Sequence, residues 1–354
     1  MYKVHITPIW NISSSNEQSL DMSALLGLLS AIQKTGSIAQ AAQQVGLSYR
    51  YAWGLLREGE QMFNDALMSK TRGQGTRLTE LAEKLIWADR RVAARLSPTL
   101  ESLSSELETE LNKNLPDKIK PVRLHASHGF AVAALLNRFN NEQFPVETLY
   151  RNSTDAVAAL ARRECDLAGF HIPTGEFEAA AFAQYSKWLK PKTHCLIHLA
   201  LRNQGLFVAP GNPKNVTGIA DLNKNQIRFV NRQKGSGTRM LLELMLAKHH
   251  INPNQINGFD NTEFTHSAVA AFIASGMAEV GFGVQTAAQR FGLDFIPLVK
   301  ERYFLALPLA ALDDPVIQHV IEVLQSDQYR DEVNQLAGYD AADTGKIQSL
   351  GEAF

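Results

Sequence analysis

The chain has 354 residues, 45% of them hydrophobic and 20% charged, with 35 Lys and Arg against 36 Asp and Glu. Such a composition excludes a disordered or uniformly basic protein and is long enough for two or three separate cores. A net charge of −1 restricts any contact with a polyanion to a local surface, because binding follows where the charge sits.

Cys165 and Cys195 are too few and too far apart for a disulfide framework or a zinc knuckle, and they fit a reducing compartment. The sequence shows no secretory leader pattern and no run of roughly 18 apolar residues, the length of a membrane helix. The expectation is a cytoplasmic protein with no membrane partner.

In chain order, the first informative stretch runs from Gly36 to Trp53. Ser37 is placed to cap a short alanine-rich helix, Gly46 to make a left-handed turn, and Ser48 to cap the next helix. This spacing sets a recognition helix for a DNA major groove, with Tyr49, Arg50 and Tyr51 on its first turn and Trp53 on its second. The same pattern also occurs as a plain structural corner. Further on, Lys70, Arg72 and Arg77 flank a glycine-containing turn with no acidic residue between them. The segment reads either as a basic wing on the phosphate backbone or as a solvated loop.

Residues from about 22 to 95 resemble the N-terminal domain of molybdate-responsive ModE-type regulators and, more distantly, of LysR-type regulators. The match is carried by Gly36-Ser37-Ile38 with Ala41-Ala42, Leu47-Ser48-Tyr49 with Ala52-Trp53, and Gly73-Gln74-Gly75 with Leu78-Thr79. It implies a winged helix-turn-helix over residues 20–80. Ser37, Ser48, Tyr49, Arg50, Tyr51, Trp53, Lys70, Arg72 and Arg77 are then the candidates to face double-stranded operator DNA.

From 81 to 113 a narrow apolar stripe recurs at three- and four-residue steps through Leu81, Leu85, Ala88, Val92, Leu96, Leu100, Leu103, Leu107 and Leu111. Pro98 predicts a kink or break within this helix. The resemblance implies a dimerisation helix, giving a homodimer or higher oligomer. The pattern alone also allows packing on the chain's own domain, as the lesser alternative.

After a linker ending near Pro121, the rhythm changes to βαβαβ, with strands at Val122–Ala126, Val146–Tyr150 and Cys165–Phe170. A second set of elements begins at Leu206–Ala209 and continues with a strand at Ile227–Val230, a helix at Thr238–His249 and a strand at Glu279–Gly283. The fold class is α/β: a winged helix-turn-helix with a long helix, then a two-lobed α/β domain over residues 121–325. Ligands in such sheets sit beyond the carboxyl ends of strands.

Asn231 to Arg239 joins a strand to a helix with Gly235, Ser236, Gly237 and Thr238 at its centre and Arg232, Lys234 and Arg239 beside it. Free helix amides, hydroxyls and positive charge make an anion site, or else a capped structural turn. Ser127-His128, Ser153-Thr154 and Thr265-His266 occupy similar positions before helices, so four helix starts can converge on one anion. His128 and His266 read more simply as capping or cleft-lining residues than as catalytic bases, and Tyr303 and Phe170 read as cleft-lining or core residues. His194 to His198 reads as buried strand or helix rather than a metal site, and no catalytic group, metal ligand set or cofactor is assigned. The tail after Gly338 reads as loosely packed.

This half resembles the type II periplasmic-binding-protein fold, in the variant found on molybdate- or molybdopterin-related regulators. The resemblance rests on Gly235 to Arg239, Asp166 to His171 and Ala278 to Gly283. It implies a transcription regulator whose cleft senses a small anionic effector: molybdate, tungstate or a molybdenum-cofactor-related metabolite. Two alternatives are a molybdopterin-metabolism enzyme carrying a DNA-binding domain, and a constitutive DNA-binding protein with a purely structural second half.

Overall fold

The computed structural model describes residues 2–13, 19–70, 75–113 and 120–354. They form two compact units, one of Thr7–Ala94 and one of Arg95–Phe354 with the N-terminal segment up to Ile6.

In the first unit β1 (Ile12–Ser13) pairs antiparallel with β2 (Ser19–Leu20) ahead of α1 (Met22–Thr35). Asp21 starts α1 by accepting the amides of Ser23 and Ala24, and Gly36 ends it in the left-handed region at φ +65°. Ser37 caps α2 (Ile38–Gln44) through the Gln40 amide, and Ser48 caps α3 (Tyr49–Phe63) through the Tyr51 amide. Gly46 turns between them at φ +74°. The Ser37 and Ser48 caps and the Gly46 turn follow the sequence reading closely, because each depends on a local side chain or on glycine's freedom. Leu25, Leu29 and Ile32 of α1 pack against Ala41 and Ala42 of α2 and Leu56 of α3, and the alanines let the helices approach closely. β3 (Met68–Lys70) and β4 (Thr76–Leu78) form the antiparallel hairpin expected of a wing.

The long helix α4 (Glu80–Asn112) runs unbroken through Pro98, so the predicted break does not occur. A proline removes one intrahelical amide, yet the helix continues on both sides of it. Ser102 Oγ donates to the Pro98 carbonyl at 2.8 Å. The division between the units falls within α4, at Ala94 and Arg95.

The second unit opens with β5 (Val122–Ala126), α5 (Phe130–Asn141), β6 (Val146–Tyr150), α6 (Ser153–Ala161), β7 (Leu167–Pro173) and α7 (Glu178–Ala183). Next come β8 (His194–Val208), β9 (Phe229–Arg232), α8 (Gly237–Lys248), β10 (Thr262–Glu263), α9 (His266–Ala274), β11 (Val280–Val284) and α10 (Gln285–Arg290). The chain closes with β12 (Asp294–Pro308), α11 (Pro315–Gln325), α12 (Asp327–Asn334), β13 (Tyr339–Asp340), β14 (Ile347–Ser349) and α13 (Leu350–Ala353).

The main strand order is β10-β9-β11-β8-β12-β7-β5-β6. β8 and β12 pair antiparallel from His194 with Pro308 to Val208 with Asp294, so they run through both lobes. Leu206 to Val208 is therefore the end of this long strand rather than the start of a new one. The apolar run of β8 is legible, but its continuation past Arg202, Asn203 and Gln204 is not. Those polar residues are paired only by the tertiary fold.

β6 ends the strand order, and α4 covers its free edge. Ser105 Oγ accepts the Thr148 amide at 2.7 Å, and Ser102 Oγ accepts the Tyr150 amide at 3.0 Å. Edge amides that would otherwise lack partners are satisfied by helix hydroxyls. Glu108 and Asn112 further along α4 accept the amides of Val4 and Tyr2.

The tail reading is corrected. β13 and β14 pair with β8, Leu350 and Ala353 are buried, and the Phe354 ring stacks on Phe182 at 4.2 Å. Small polar residues before an aromatic C-terminus give no periodic signal, yet the aromatic end has a pocket to fill.

Gly205 sits on β8 opposite the register shift in β12 between Pro297 and Val299. A Cβ there would overlap the Ile296 carbonyl oxygen and lie 2.8 Å from the Phe295 ring. Gly205→Ala is expected to destabilise the second unit by roughly 1–3 kcal/mol, the usual cost of overpacking. A denaturant midpoint unchanged from the parent would show that the two strands relax freely.

Candidate functional site

On the first unit, α3 presents Tyr49 and Tyr51 with about half of each ring exposed, and Arg50 is also exposed. Tyr49 meets Trp53 edge to face at 6.3 Å between ring centres, while Trp53 also rests on the core beneath. Tyr49, Arg50, Trp53, Gly54 and Arg57 line a shallow surface depression. Arg57 is absent from the sequence-based candidates, although its position two turns beyond Arg50 places it on the same helix face. Ser37 and Ser48 serve as caps, so their hydroxyls are engaged with backbone amides. Arg77 is exposed on β4, and Lys70 ends β3. Arg72 lies outside the described residues. The Thr76 amide donates to the Gly36 carbonyl at 3.0 Å, which ties the hairpin to the turn before α2.

In the second unit a cleft of about 510 Å³ is lined by Ser127, His128, Tyr150, Asn152, Arg232 and Ser236, among others. Its floor is Arg232, at the end of β9 and 3% exposed. One terminal nitrogen of Arg232 donates to the Phe264 carbonyl at 2.8 Å, and its Nε has no hydrogen-bond partner among the described residues. Burial, with the Arg202 charge nearby, pushes the Arg232 pKa down to about 9. A guanidinium stays protonated at neutral pH, so this shift marks a buried charge that is poorly compensated.

Next to Arg232 lies a layer of buried polar side chains carried by the crossing strands. Glu301 Oε1 accepts from Arg202 Nε at 2.7 Å and from Gln204 Nε2 at 2.8 Å, and Gln204 Nε2 also reaches Thr238 Oγ1 at 3.2 Å. Burial opposes the Arg202 charge, but Glu301 and Tyr339 outweigh it and raise its pKa. His171 stacks on Tyr303 with ring centres 3.9 Å apart and meets Ser153 Oγ at 3.1 Å through Nδ1. Burial first, then neighbouring arginines, hold His171 and His266 well below the ordinary histidine range, so both are neutral at neutral pH. His171 Nε2, His266 Nδ1, Gln204 Oε1 and Glu301 Oε2 are buried without hydrogen-bond partners among the described residues.

The predicted helix starts are brought together only in part. The α6 and α8 starts meet directly, since a Cβ on Gly237 would lie 3.2 Å from His171 and 3.6 Å from Ser153 Oγ. Ser236 and Thr265 cap α8 and α9 through the amides of Arg239 and Ala268. α6 is capped by Asn152 rather than a hydroxyl, leaving Ser153 buried at its first turn and Thr154 half-buried. α5 begins after Gly129 with no side-chain cap, so Ser127 and His128 line the cleft instead of capping a helix. Arg239 is turned away to Glu243 at 2.8 Å and packs over the Phe259 ring, while Lys234 and Gly235 are exposed. Phe170 is buried core, packed on Tyr185 and Phe304. His194 to His198 begins β8, so of the strand and helix left open by the sequence it is strand.

Sequence reasoning missed the far wall of the cleft. Arg95, Leu96, Pro98, Thr99, Leu103 and Glu106 of α4 line it. Ser97 Oγ lies 3.3 Å and Glu101 3.5 Å from His128 Nε2, and Arg95 lies 3.7 Å from Glu263. Burial works against the Glu101 carboxylate, but hydrogen bonds from His128, Tyr150 and Ser97 outweigh it and lower its pKa. A stripe of leucines signals a helix face, not which surface that face meets.

Residues 135–325 match the PBP superfamily domain model, and residues 24–83 match the bacterial regulatory helix-turn-helix protein model of the lysR family. The chain is 34% identical over 201 residues to the uncharacterized protein YvgK of Bacillus subtilis (strain 168), which covers 56% of this chain and 64% of that protein. It is 36% identical over 109 residues to an uncharacterized protein encoded in the ferredoxin 2Fe-2S gene 5′ region of Clostridium pasteurianum, covering 30% of this chain and 96% of that protein. A third match is the molybdenum transport protein ModE of Herbaspirillum seropedicae, 41% identical over 90 residues, covering 24% of this chain and 32% of that protein. The chain thus spans less than two-thirds of YvgK and about a third of ModE. It belongs to the PBP superfamily and carries a LysR-type regulatory helix-turn-helix ahead of that domain.

Proposed function

We propose that this protein is a ligand-responsive transcription regulator that reads operator DNA through α3 and the β3–β4 hairpin and senses an anionic effector in the cleft. The observation that carries the effector reading is Arg232, a buried guanidinium at the cleft floor with an unpartnered Nε. An anion there would relieve an electrostatic cost already present in the fold. The effector class is molybdate, tungstate or a molybdenum-cofactor-related anion. Relatives named for molybdenum, ModE and MopB, support that class over about a quarter of the chain.

Effector binding acts through differential affinity for two arrangements of the lobes, which shifts the population competent for operator binding. Leu107 and Leu111, exposed near the end of α4, give the chain an apolar contact for a second copy. A two-fold dimer would present two recognition helices to half-sites one DNA turn apart.

On an operator duplex, Arg50→Ala is expected to weaken binding by about 10- to 100-fold, the range for a lost base contact. Gel-shift titration at two salt concentrations checks this, and unchanged affinity would remove α3 as the reading helix. For the cleft, saturating anion at a hundredfold excess over its Kd should stabilise the parent by about 2.7 kcal/mol. Arg232→Gln should abolish that gain while leaving the ligand-free melting temperature equal or higher, since the substitution removes an uncompensated buried charge. Full retention of the gain would place the anion elsewhere.

A further inference from the structure

A two-stranded hairpin is marginally stable by itself, so the aim of its charges depends on what holds it. The base of the β3–β4 hairpin is fastened to α3, where the Leu67 amide donates to the Glu60 carboxylate at 3.1 Å. Thr79 returns to the same point, its amide donating to the Leu67 carbonyl at 3.1 Å and its hydroxyl to the Ala66 carbonyl at 2.7 Å. A second hold lies further out, where the Thr76 amide donates to the Gly36 carbonyl at 3.0 Å and joins β4 to the end of α1. That carbonyl is a fixed acceptor. The Gly36 amide closes α1 on the Ile32 carbonyl at 2.9 Å, and Thr35 Oγ1 accepts the Ser37 amide at 3.3 Å and lies 2.9 Å from the Ala31 carbonyl. Gly75 permits the approach. It stands at φ +74°, in the region that favours glycine, and a Cβ there would lie 2.9 Å from the Gly36 carbonyl oxygen.

We propose that Gly75, through the Thr76–Gly36 link, is the residue that positions the hairpin for the DNA backbone. This rests on the DNA-binding reading above and deepens it. Gly36 immediately precedes the Ser37 cap of α2, and α2 leads into α3, so the link sets the hairpin in register with the recognition helix. Along β4, Thr76 and Leu78 are half-buried and Arg77 is exposed, so a hairpin held at both points keeps Arg77 on its outer face. Phosphate contacts fix how a protein sits on a duplex, and they gain most when the charges are in place before binding. Held at its base alone, the outer part of the hairpin would have to be ordered by the DNA at each encounter. The link therefore acts on the phosphate contribution to binding and not on base reading by α3.

The test is the salt dependence of binding by the full chain to a duplex that the parent selects from a random-sequence pool. Each phosphate contact contributes about 0.9 to the slope of log affinity against log salt. Arg77→Ala removes a charge and is expected to reduce the slope by about 1. Gly75→Ala keeps every charge, yet should reduce the slope to a similar extent, while the preference for the selected duplex over an unrelated one stays as in the parent. Gly211→Ala, in the second unit, imposes the same backbone strain at φ +75° with no neighbour in reach, and should leave the slope unchanged. A glycine that served folding alone would lower the melting temperature on substitution and leave the slope at the parent value. A reduced slope in Arg77→Ala with the parent slope in Gly75→Ala would overturn the positioning role and keep the hairpin on the DNA. The parent slope in both variants would take the hairpin off the DNA, and a parent that selects no duplex would overturn the DNA-binding reading itself. If Gly75→Ala does not fold, hydrogen exchange of the Thr76 amide in the parent decides. Slow exchange supports the link, and exchange at the rate of an unfolded peptide overturns it.

Discussion

The second unit depends on the antiparallel pairing of β8 and β12, two long strands that serve both lobes at once. Arg202 and Glu301 face each other across this pair, both almost fully buried. Breaking such a pair from one side leaves an uncompensated charge, so each residue requires the other. Gln204, Thr238 and Tyr339 complete the arrangement, which brings β13 from the C-terminal segment into the same polar layer. Arg232, His171 and His266 stand close enough to this layer to feel the Arg202 charge.

The same constraint sets the charge balance of the buried polar layer. Arg202 is neutralised by Glu301, Arg239 by Glu243, and the buried histidines are held neutral. Arg232 is left as the guanidinium whose buried charge is poorly met. Selectivity in such a place comes from one charge and several neutral donors and acceptors with fixed geometry.

α4 joins two kinds of work. Its first half contributes Leu85 and Ile86 to the core of the helix-turn-helix unit. Its second half closes the edge of the sheet through Ser102 and Ser105 and forms a cleft wall. A connecting helix that satisfies edge-strand amides is held more specifically than one resting on apolar contact alone, because hydrogen bonds fix its register along β6.

Local chemistry was legible in the sequence. Ser37, Gly46 and Ser48 place the helix-turn-helix, because caps and left-handed turns need particular residue types within a few positions. Ser236 starting α8 and the βαβ rhythm of the first lobe were readable for the same reason. The sequence by itself thus determined the fold class, the recognition helix and the strand-to-helix turn beside Arg232. Only the tertiary structure decided which polar residues share the cleft. Arg202, Gln204 and Glu301 look like ordinary surface residues in their strands until β8 and β12 pair and bury them. The Leu96–Leu103 face could have met a second chain or a core, and the folded chain places it on the cleft. Short-range rules govern caps and turns, but partners a hundred residues apart in sequence are chosen by packing, which no local pattern encodes.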